Sequence, residues 1–193
     1  MKKAATFAAG FSLTLCLCLP AAAVWDADYG ESMIECALSG DRERGLLYER
    51  LRMAKIDALD IDAPYIAYDD LVLLAQVIYT EAGSSWLSED WKMRVGEVLL
   101  NRVASPEFPD TLAEVVFQPG QYSAADEGWF EVLIPLRSCL EAALRLLGGE
   151  RVINDPAVVF QSGGRQGGGV ALEMWDSVYG STYFCYTNHP ELY

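Results

Sequence analysis

The chain has 193 residues, 52% of them hydrophobic, and a formal net charge of −14 at pH 7. Such a length is sufficient for one ordinary domain with a hydrophobic core plus an N-terminal extension. The strong negative charge argues against nucleic acid and anionic membranes as partners, because both repel an acidic surface. It does not restrict uncharged substrates.

The first residues have the features of an export signal. Lys2 and Lys3 provide a positive start, residues 7–19 are mostly apolar, and residues 21–23 are small alanines suited to cleavage. We therefore predict a signal peptide over residues 1–23, an exported location and no stable membrane insertion after cleavage. An uncleaved anchor is the alternative. Cleavage removes both lysines and takes the net charge from −14 to −16.

The cysteines and the histidine give little sign of a bound metal. Cys36, Cys139 and Cys185 remain after cleavage, and their odd number and wide spacing leave any disulfide pairing undetermined. The only histidine, His189, lies near the C-terminus, and no Cys-x-x-Cys spacing exists. We therefore expect neither a metal nor a cofactor.

Residues 24–68 are predicted to form an acidic helical extension and linker. Residues 24–30 have the composition of a loose leader. Residues 31–59 carry apolar side chains at helical spacing, with an interruption at residues 39–41, and residues 60–68 are typical of a linker. This extension could pack on the main domain or act as a spacer, and the pattern does not distinguish the two.

The main domain, residues 69–193, opens with a predicted helix whose buried face carries Leu71, Leu74, Ala75 and Ile78. Asp69 or Asp70 can cap its start, and Gly83 can end it in the left-handed conformation. Glu81 then lies in the last turn, where the helix dipole and apolar neighbours raise its pKa. A raised pKa suits a general acid near neutral pH. On the local pattern alone, a solvated glutamate at a helix end is the more common outcome.

Three further helices are predicted to begin near Ser88, at a capping box of residues 111–114 and at Pro135. We expect Glu89, Asp90, Glu97 and Glu107 to be helix-start or surface charges.

Beyond residue 149 the chain changes character, with β-branched and aromatic runs at residues 158–161 and 182–186 that predict two strands. Residues 163–169 between them are predicted to be a flexible loop. The predicted fold class is therefore α+β, a helical domain with a small antiparallel sheet.

Five motifs follow one another along this domain: IYTEA (78–82), VLLNRV (98–103), SPEFP (105–109), VVF (115–117) and QPGQYS (118–123). Any one would be weak evidence. Their order and spacing together resemble the SleB/CwlJ family of cell-wall hydrolases, over about residues 72–186.

The resemblance implies a lysozyme-like, lytic-transglycosylase-like domain that acts on peptidoglycan glycan strands in the cell wall or spore cortex. It places the family's catalytic glutamate at Glu81. This group would protonate the oxygen between N-acetylmuramic acid and N-acetylglucosamine, then accept the C6 hydroxyl proton as a 1,6-anhydro ring closes. Ordinary glycoside hydrolysis needs a second carboxylate, whereas this route needs only one. The resemblance indicates no particular protein partner.

Gln121, Tyr122 and Ser123 match the family's Pro-Gly-Gln-aromatic-Ser turn, and we expect them, with Tyr183, to line the substrate groove. A purely structural turn explains Tyr122 equally well. We expect the Asn-Arg pair at residues 101–102 to tie its helix to a neighbouring loop by hydrogen bonds and a buried ion pair.

The C-terminal part departs from the family's common pattern. Residues 160–162 are Phe-Gln-Ser where many members have Tyr-Asn-Pro, and residues 180–185 lack the common Gly-Asn-His. The sequence therefore does not indicate which glycan is preferred. Two other functions remain as alternatives, a peptidoglycan amidase and a non-catalytic secreted wall-binding module. The amidase ranks lower because such enzymes rely on zinc held by histidines or on a cysteine with a histidine.

Overall fold

The computed structural model describes residues 21–193, and the side chains from Tyr29 onward. This part of the chain contains seven α-helices: α1 (Ala21–Ser39), α2 (Arg42–Leu59), α3 (Tyr68–Ala82), α4 (Glu89–Ala104), α5 (Leu112–Val116), α6 (Ser123–Asp126) and α7 (Arg137–Leu147). Three strands follow: β1 (Val158–Ser162), β2 (Val170–Asp176) and β3 (Gly180–Tyr186). Short 3₁₀ helices lie at Trp129–Glu131 and Pro190–Leu192. The predicted α+β class, helical with a small antiparallel sheet, is confirmed.

The sheet has the order β1-β3-β2, and both pairings are antiparallel. Two of its strands agree with the predicted ones, whereas β2 was missed, and the predicted loop at residues 163–169 is the connection between β1 and β2. The strand was missed because only Leu172 and Met174 are apolar and partly buried at alternate positions, which is too short a pattern to recognise.

The N-terminal segment packs against the main domain and shares its core. Met33 and Ile34 of α1 are fully buried in the same cluster as the residues of α3, α4 and α7. Arg137 on α7 forms ion pairs with Glu31, at 2.6 Å, and with Glu35. The structure therefore supports the first of the two alternatives, in which the N-terminal extension packs on the main domain instead of acting as a spacer.

Residues 24–30 lie inside α1, so the prediction of a loose leader is wrong. The predicted break at residues 39–41 is correct, because α1 ends at Ser39 and Asp41 caps α2 by accepting from the Arg44 N–H. Most of the predicted signal peptide lies outside the described residues, and the domain boundaries stay a prediction. No helix within residues 21–193 has the length and apolar character required to cross a membrane.

Two details of α3 differ from prediction. The helix begins at Tyr68 with Ala67 at the N-cap, so Asp69 and Asp70 fall in the first turn and do not cap it. At its end, Gly83 has φ −74°, a right-handed conformation, so the predicted left-handed ending is wrong. A glycine is needed there for space, because a Cβ at this position would lie 2.2 Å from the Tyr79 carbonyl oxygen.

The observed starts of the other helices agree better with the predicted ones. Ser88 caps α4 by accepting from the Trp91 N–H at 3.2 Å. Thr111 caps α5 by accepting from the Glu114 N–H at 3.2 Å, as predicted, but the Glu114 carboxylate accepts from the Thr111 hydroxyl at 2.7 Å instead of from its main-chain N–H as in a full capping box. In contrast, α7 begins at Arg137, two residues after the predicted start at Pro135.

Helices α3, α4 and α7 pack together at the centre of the domain. Gly96 on α4 permits this close approach, since a Cβ there would lie 2.4 Å from a methyl of Leu146 and 2.8 Å from one of Ile78. The core helices thereby form a rigid base for the sheet.

Glu97 on α4 is buried, with 1% of its surface exposed, so its prediction as a surface charge is wrong. Its carboxylate accepts hydrogen bonds from the main-chain N–H groups of Val152 at 2.6 Å, Ile153 at 2.8 Å and Asn154 at 2.8 Å. These residues precede β1, so the carboxylate fixes the segment that leads from the helices into the sheet.

We expect Glu97→Ala to lower the free energy of unfolding by about 3–5 kcal/mol, because three main-chain donors lose a charged acceptor in a buried position. Urea denaturation followed by circular dichroism measures this change. The matched control is Glu141→Ala on the exposed side of α7, for which we expect a loss within about 0.5 kcal/mol. Equal losses in the two variants would contradict the role assigned to Glu97.

Candidate active site

Glu81 lies in the last turn of α3, partly buried beneath the sheet. Burial raises the pKa of its carboxyl above the ordinary value, and the positive charge of Arg102 partly opposes this rise. The direction agrees with the sequence prediction. A carboxyl in this environment holds its proton to a higher pH than a solvated glutamate.

Two residues from the sheet contact Glu81. The Gln161 side chain on β1 donates from Nε2 to Glu81 Oε2 at 3.3 Å. The Tyr179 hydroxyl, from the turn between β2 and β3, donates to the main-chain carbonyl of Glu81. Burial and the nearby Glu81 charge raise the pKa of Tyr179, which keeps this hydroxyl protonated as a donor. The sheet therefore closes over the end of α3.

Arg102 on α4 joins three parts of the site and is itself buried. Its Nε donates to the Val159 carbonyl at 2.6 Å, and its Nη1 donates to Gln121 Oε1 at 3.2 Å and to the Tyr122 hydroxyl at 3.1 Å. Its guanidinium also lies 5.3–5.9 Å from three aromatic ring centres, those of Phe108, Tyr122 and Phe160.

The neighbouring Asn101 donates to the carbonyls of Asp155 at 3.0 Å and Val158 at 2.9 Å. The predicted role of the Asn-Arg pair in tying the helix to its neighbours is therefore correct in its hydrogen bonds. The predicted ion pair is wrong, since no carboxylate in residues 21–193 pairs with Arg102. Two carbonyl oxygens, the Tyr122 hydroxyl and three aromatic rings surround the Arg102 cation instead.

The predicted groove residues occupy different environments. Tyr122 is 4% exposed, its hydroxyl is held by Arg102, and burial raises its pKa to about 12. Gln121 and Ser123 on either side of it are exposed. Tyr183 on β3 is partly exposed, with the Arg165 guanidinium 5.5 Å from its ring centre. The structure thus brings Gln121 and Tyr122 together around Arg102, and Tyr122 supports the turn from below.

Gln161 and Tyr179 were missed as site residues. Gln161 stood out only as a departure from a family pattern, and Tyr179 gave no signal because it reaches Glu81 from a turn remote in sequence. Gln161 Oε1 is buried and has no hydrogen-bond partner in the described part of the chain, so an acceptor is available next to Glu81.

Cys36, Cys139 and Cys185 are each buried as free thiols. Residues 21–193 contain no group of three or more histidine, cysteine, aspartate or glutamate side chains arranged to hold a metal ion.

Part of the chain matches a known family model. Residues 88–163 match the model of the cell wall hydrolase family. These residues, less than half of the chain, are similar to a cell wall hydrolase domain. The match includes Gln121, Tyr122 and Ser123, whereas Glu81 precedes it and Tyr183 follows it.

Curated proteins similar to part of this chain are named spore cortex-lytic enzymes. The one from Halalkalibacterium halodurans is 33% identical over 94 residues, which cover 48% of this chain and 27% of the relative. The one from Bacillus subtilis is 32% identical over 96 residues, covering 49% of this chain and 30% of the relative. The chain thus spans less than a third of the length of these relatives.

Two solved structures are similar at 23% identity. The catalytic domain of the germination-specific lytic transglycosylase SleB from Bacillus anthracis has a TM-score of 0.48 and covers 62% of this chain and 96% of that one. The catalytic domain of Bacillus cereus SleB has a TM-score of 0.46, with coverage of 62% and 91%.

We expect Tyr122→Phe to lower the free energy of unfolding by about 1 kcal/mol, because the buried Arg102 loses one hydrogen-bond acceptor. Thermal or urea denaturation measures the change. Tyr183→Phe is the matched control, because its ring is partly exposed, and we expect it to stay within about 0.5 kcal/mol of the parent. A Tyr122→Phe variant as stable as the parent would contradict the supporting role of this hydroxyl.

Proposed function

We propose that the chain degrades peptidoglycan by cleaving the glycosidic bond between N-acetylmuramic acid and N-acetylglucosamine, with Glu81 as the reacting group. The observation that carries the proposal is the environment of Glu81, a partly buried carboxyl with a raised pKa at the sheet–helix junction. The similarity to a cell wall hydrolase domain and the spore cortex-lytic names of the relatives support a wall substrate. The proposed location is outside the cytoplasm.

The proposed mechanism is that of a lytic transglycosylase. Protonated Glu81 donates its proton to the glycosidic oxygen as the bond from that oxygen to C1 of the muramic acid breaks. The resulting carboxylate accepts the proton of the C6 hydroxyl, and O6 bonds to C1 to close the 1,6-anhydro ring. Glu81 ends protonated, as it began, and no water is consumed.

The neighbouring groups suit both halves of this cycle. Burial favours the protonated acid at the first step. At the second step, the Gln161 N–H and the positive charge of Arg102 stabilise the carboxylate that has formed. Tyr179 holds the main chain at Glu81, which fixes the direction in which the carboxyl projects.

Gln121, Ser123 and Tyr183 are proposed to contact sugar hydroxyl or N-acetyl groups. Tyr122 acts on the substrate only through the turn that it supports, because its hydroxyl already pairs with Arg102. We therefore assign Tyr122 to the support of this turn instead of to direct contact with the substrate.

Mass spectrometry of the products that the full chain releases from purified vegetative and cortex peptidoglycan tests this chemistry. We expect fragments that end in 1,6-anhydromuramic acid. Reducing-end muramic acid would instead indicate a hydrolase with a water-activating base. Free stem peptides would indicate an amidase, and no product from either wall would favour the non-catalytic binding module.

We expect Glu81→Gln to lower turnover by at least about 10³-fold without loss of stability, because the amide keeps the shape and lacks the acidic proton. Product release and circular dichroism are measured on the same preparation. The control is Glu89→Gln at the exposed start of α4, for which we expect near-parental turnover. A Glu81→Gln variant with parental turnover would refute the assignment.

The pH profile of kcat/KM gives a second test. The acid must be protonated to react, so the rate falls as pH rises through the pKa of Glu81, and the raised pKa moves that fall above the ordinary glutamate value near 4.5. In Gln161→Leu the carboxylate loses a donor, so we expect the fall to move to still higher pH. A parental profile that falls at the ordinary value would contradict the environment proposed for Glu81.

A further inference from the structure

A cleft of about 430 Å³ lies between the start of α4 and strand β2, and we call it the tryptophan cleft. Its lining is Trp86, Leu87, Ser88, Asp90, Trp91, Arg94 and residues 172–176. Its volume falls within the usual range of small-molecule sites.

Two indole rings in this cleft are turned to solvent. Trp86 is 59% exposed and Trp175 is 69% exposed, an unusual state for the largest apolar side chain. The third, Trp91, is buried, and its Nε1 has no hydrogen-bond partner in residues 21–193. The cleft therefore offers two open aromatic faces, those of Trp86 and Trp175.

The walls of the cleft are held in place by polar contacts. Buried Lys92 donates to the carbonyls of Leu87 at 2.8 Å and Ser84 at 3.4 Å, which fixes the loop that carries Trp86. Main-chain N–H groups of Tyr179 and Val178, and the Trp86 indole, keep the pKa of Asp176 below its ordinary value. Little ordering is therefore needed when a ligand enters.

The cleft adjoins the surroundings of Glu81. Trp91 packs edge-to-face on Tyr179, with ring centres 5.6 Å apart, and the Tyr179 hydroxyl donates to the Glu81 carbonyl. Asp176, part of the cleft wall, also accepts from the Tyr179 N–H at 2.8 Å. One aromatic pair thus separates the cleft from the residue proposed to react.

The charge of the cleft limits its ligands. Its lining contains Asp90, Glu173 and Asp176 against a single cation, Arg94, which already pairs with Asp90 at 2.8 Å. An excess of carboxylates repels an anionic ligand and accepts hydrogen bonds from hydroxyl and amide N–H groups.

We propose that the tryptophan cleft is a binding subsite for a neutral amino-sugar ring of the glycan strand, with N-acetylglucosamine preferred over muramic acid, whose lactyl group carries a carboxylate or an acidic stem peptide. The C–H faces of such a ring stack on indoles, and its hydroxyl and acetamido N–H groups match the carboxylates. The inference rests on the proposed function for its source of substrate, a strand that continues past Glu81. Binding itself can be measured without catalysis.

The test uses the full chain with Glu81→Gln, so that no turnover occurs, and titrates it with chitotetraose, a neutral oligomer of N-acetylglucosamine, in a calorimeter. We expect Trp86→Ala and Trp175→Ala each to weaken the Kd about three- to tenfold. Trp129→Ala is the matched control, because Trp129 is 55% exposed, pairs with Glu127 and lies outside the cleft. Its Kd should equal that of the parent.

Phenylalanine variants guard against misfolding. Trp86→Phe and Trp175→Phe keep an aromatic face, so we expect them to retain most of the affinity, with circular dichroism spectra like the parent. Equal Kd values for the cleft variants and the Trp129 control would overturn the subsite.

Kinetics with Glu81 intact separate this inference from the proposed function. The alanine variants of the cleft should raise the KM for peptidoglycan and leave kcat nearly unchanged, whereas Glu81→Gln removes kcat. Tryptophan-dependent binding by a parent chain that releases no product would support the subsite and refute the proposed cleavage. Normal cleavage with unchanged KM in both cleft variants would refute the subsite alone.

Discussion

The guanidinium of Arg102 is the constraint on which the rest of the site depends. A buried cation needs acceptors on every side, and here these come from a β1 carbonyl, the Gln121 amide and the Tyr122 hydroxyl. The acceptors belong to two parts of the chain, β1 and the turn at residues 121–122, so solvating one charge internally brings both of them to α4. The same charge reaches Glu81, where it opposes the effect of burial on the pKa. The Arg102 side chain therefore holds these segments together and also influences the pKa of Glu81.

Five residues before Arg102, Glu97 makes a complementary connection with the opposite charge. Its carboxylate gathers three main-chain N–H groups ahead of β1, while Asn101 holds the carbonyls that follow. Helix α4 thus presents an anion, an amide and a cation to the main chain of residues 152–159, in addition to the packing of the buried Val158 and Val159 side chains of β1. This arrangement leaves Gln161 on β1 free to point at Glu81.

Much of this could be predicted from local patterns. Apolar spacing and capping residues located the central helices, and the order of short motifs indicated the family and the end of α3. The errors lie where tertiary contacts override a local rule. Glu97 has the composition of a surface residue, and only the unpaired donors of a distant segment make its burial favourable. Tyr179 carries no local signal for the site, because its contact with Glu81 joins segments far apart in the chain.

The reach of Tyr179 has a consequence for the order in which the molecule matures. Its hydroxyl meets the Glu81 carbonyl across a sequence separation of 98 residues. Such non-local pairings form late, because closing a long loop costs entropy before any contact is gained. During synthesis the helices can assemble while the final hairpin is still absent, and Glu81 then lacks its cover. The pocket around this carboxyl is thus completed only when the last strands have docked, which couples its environment to a fully folded chain.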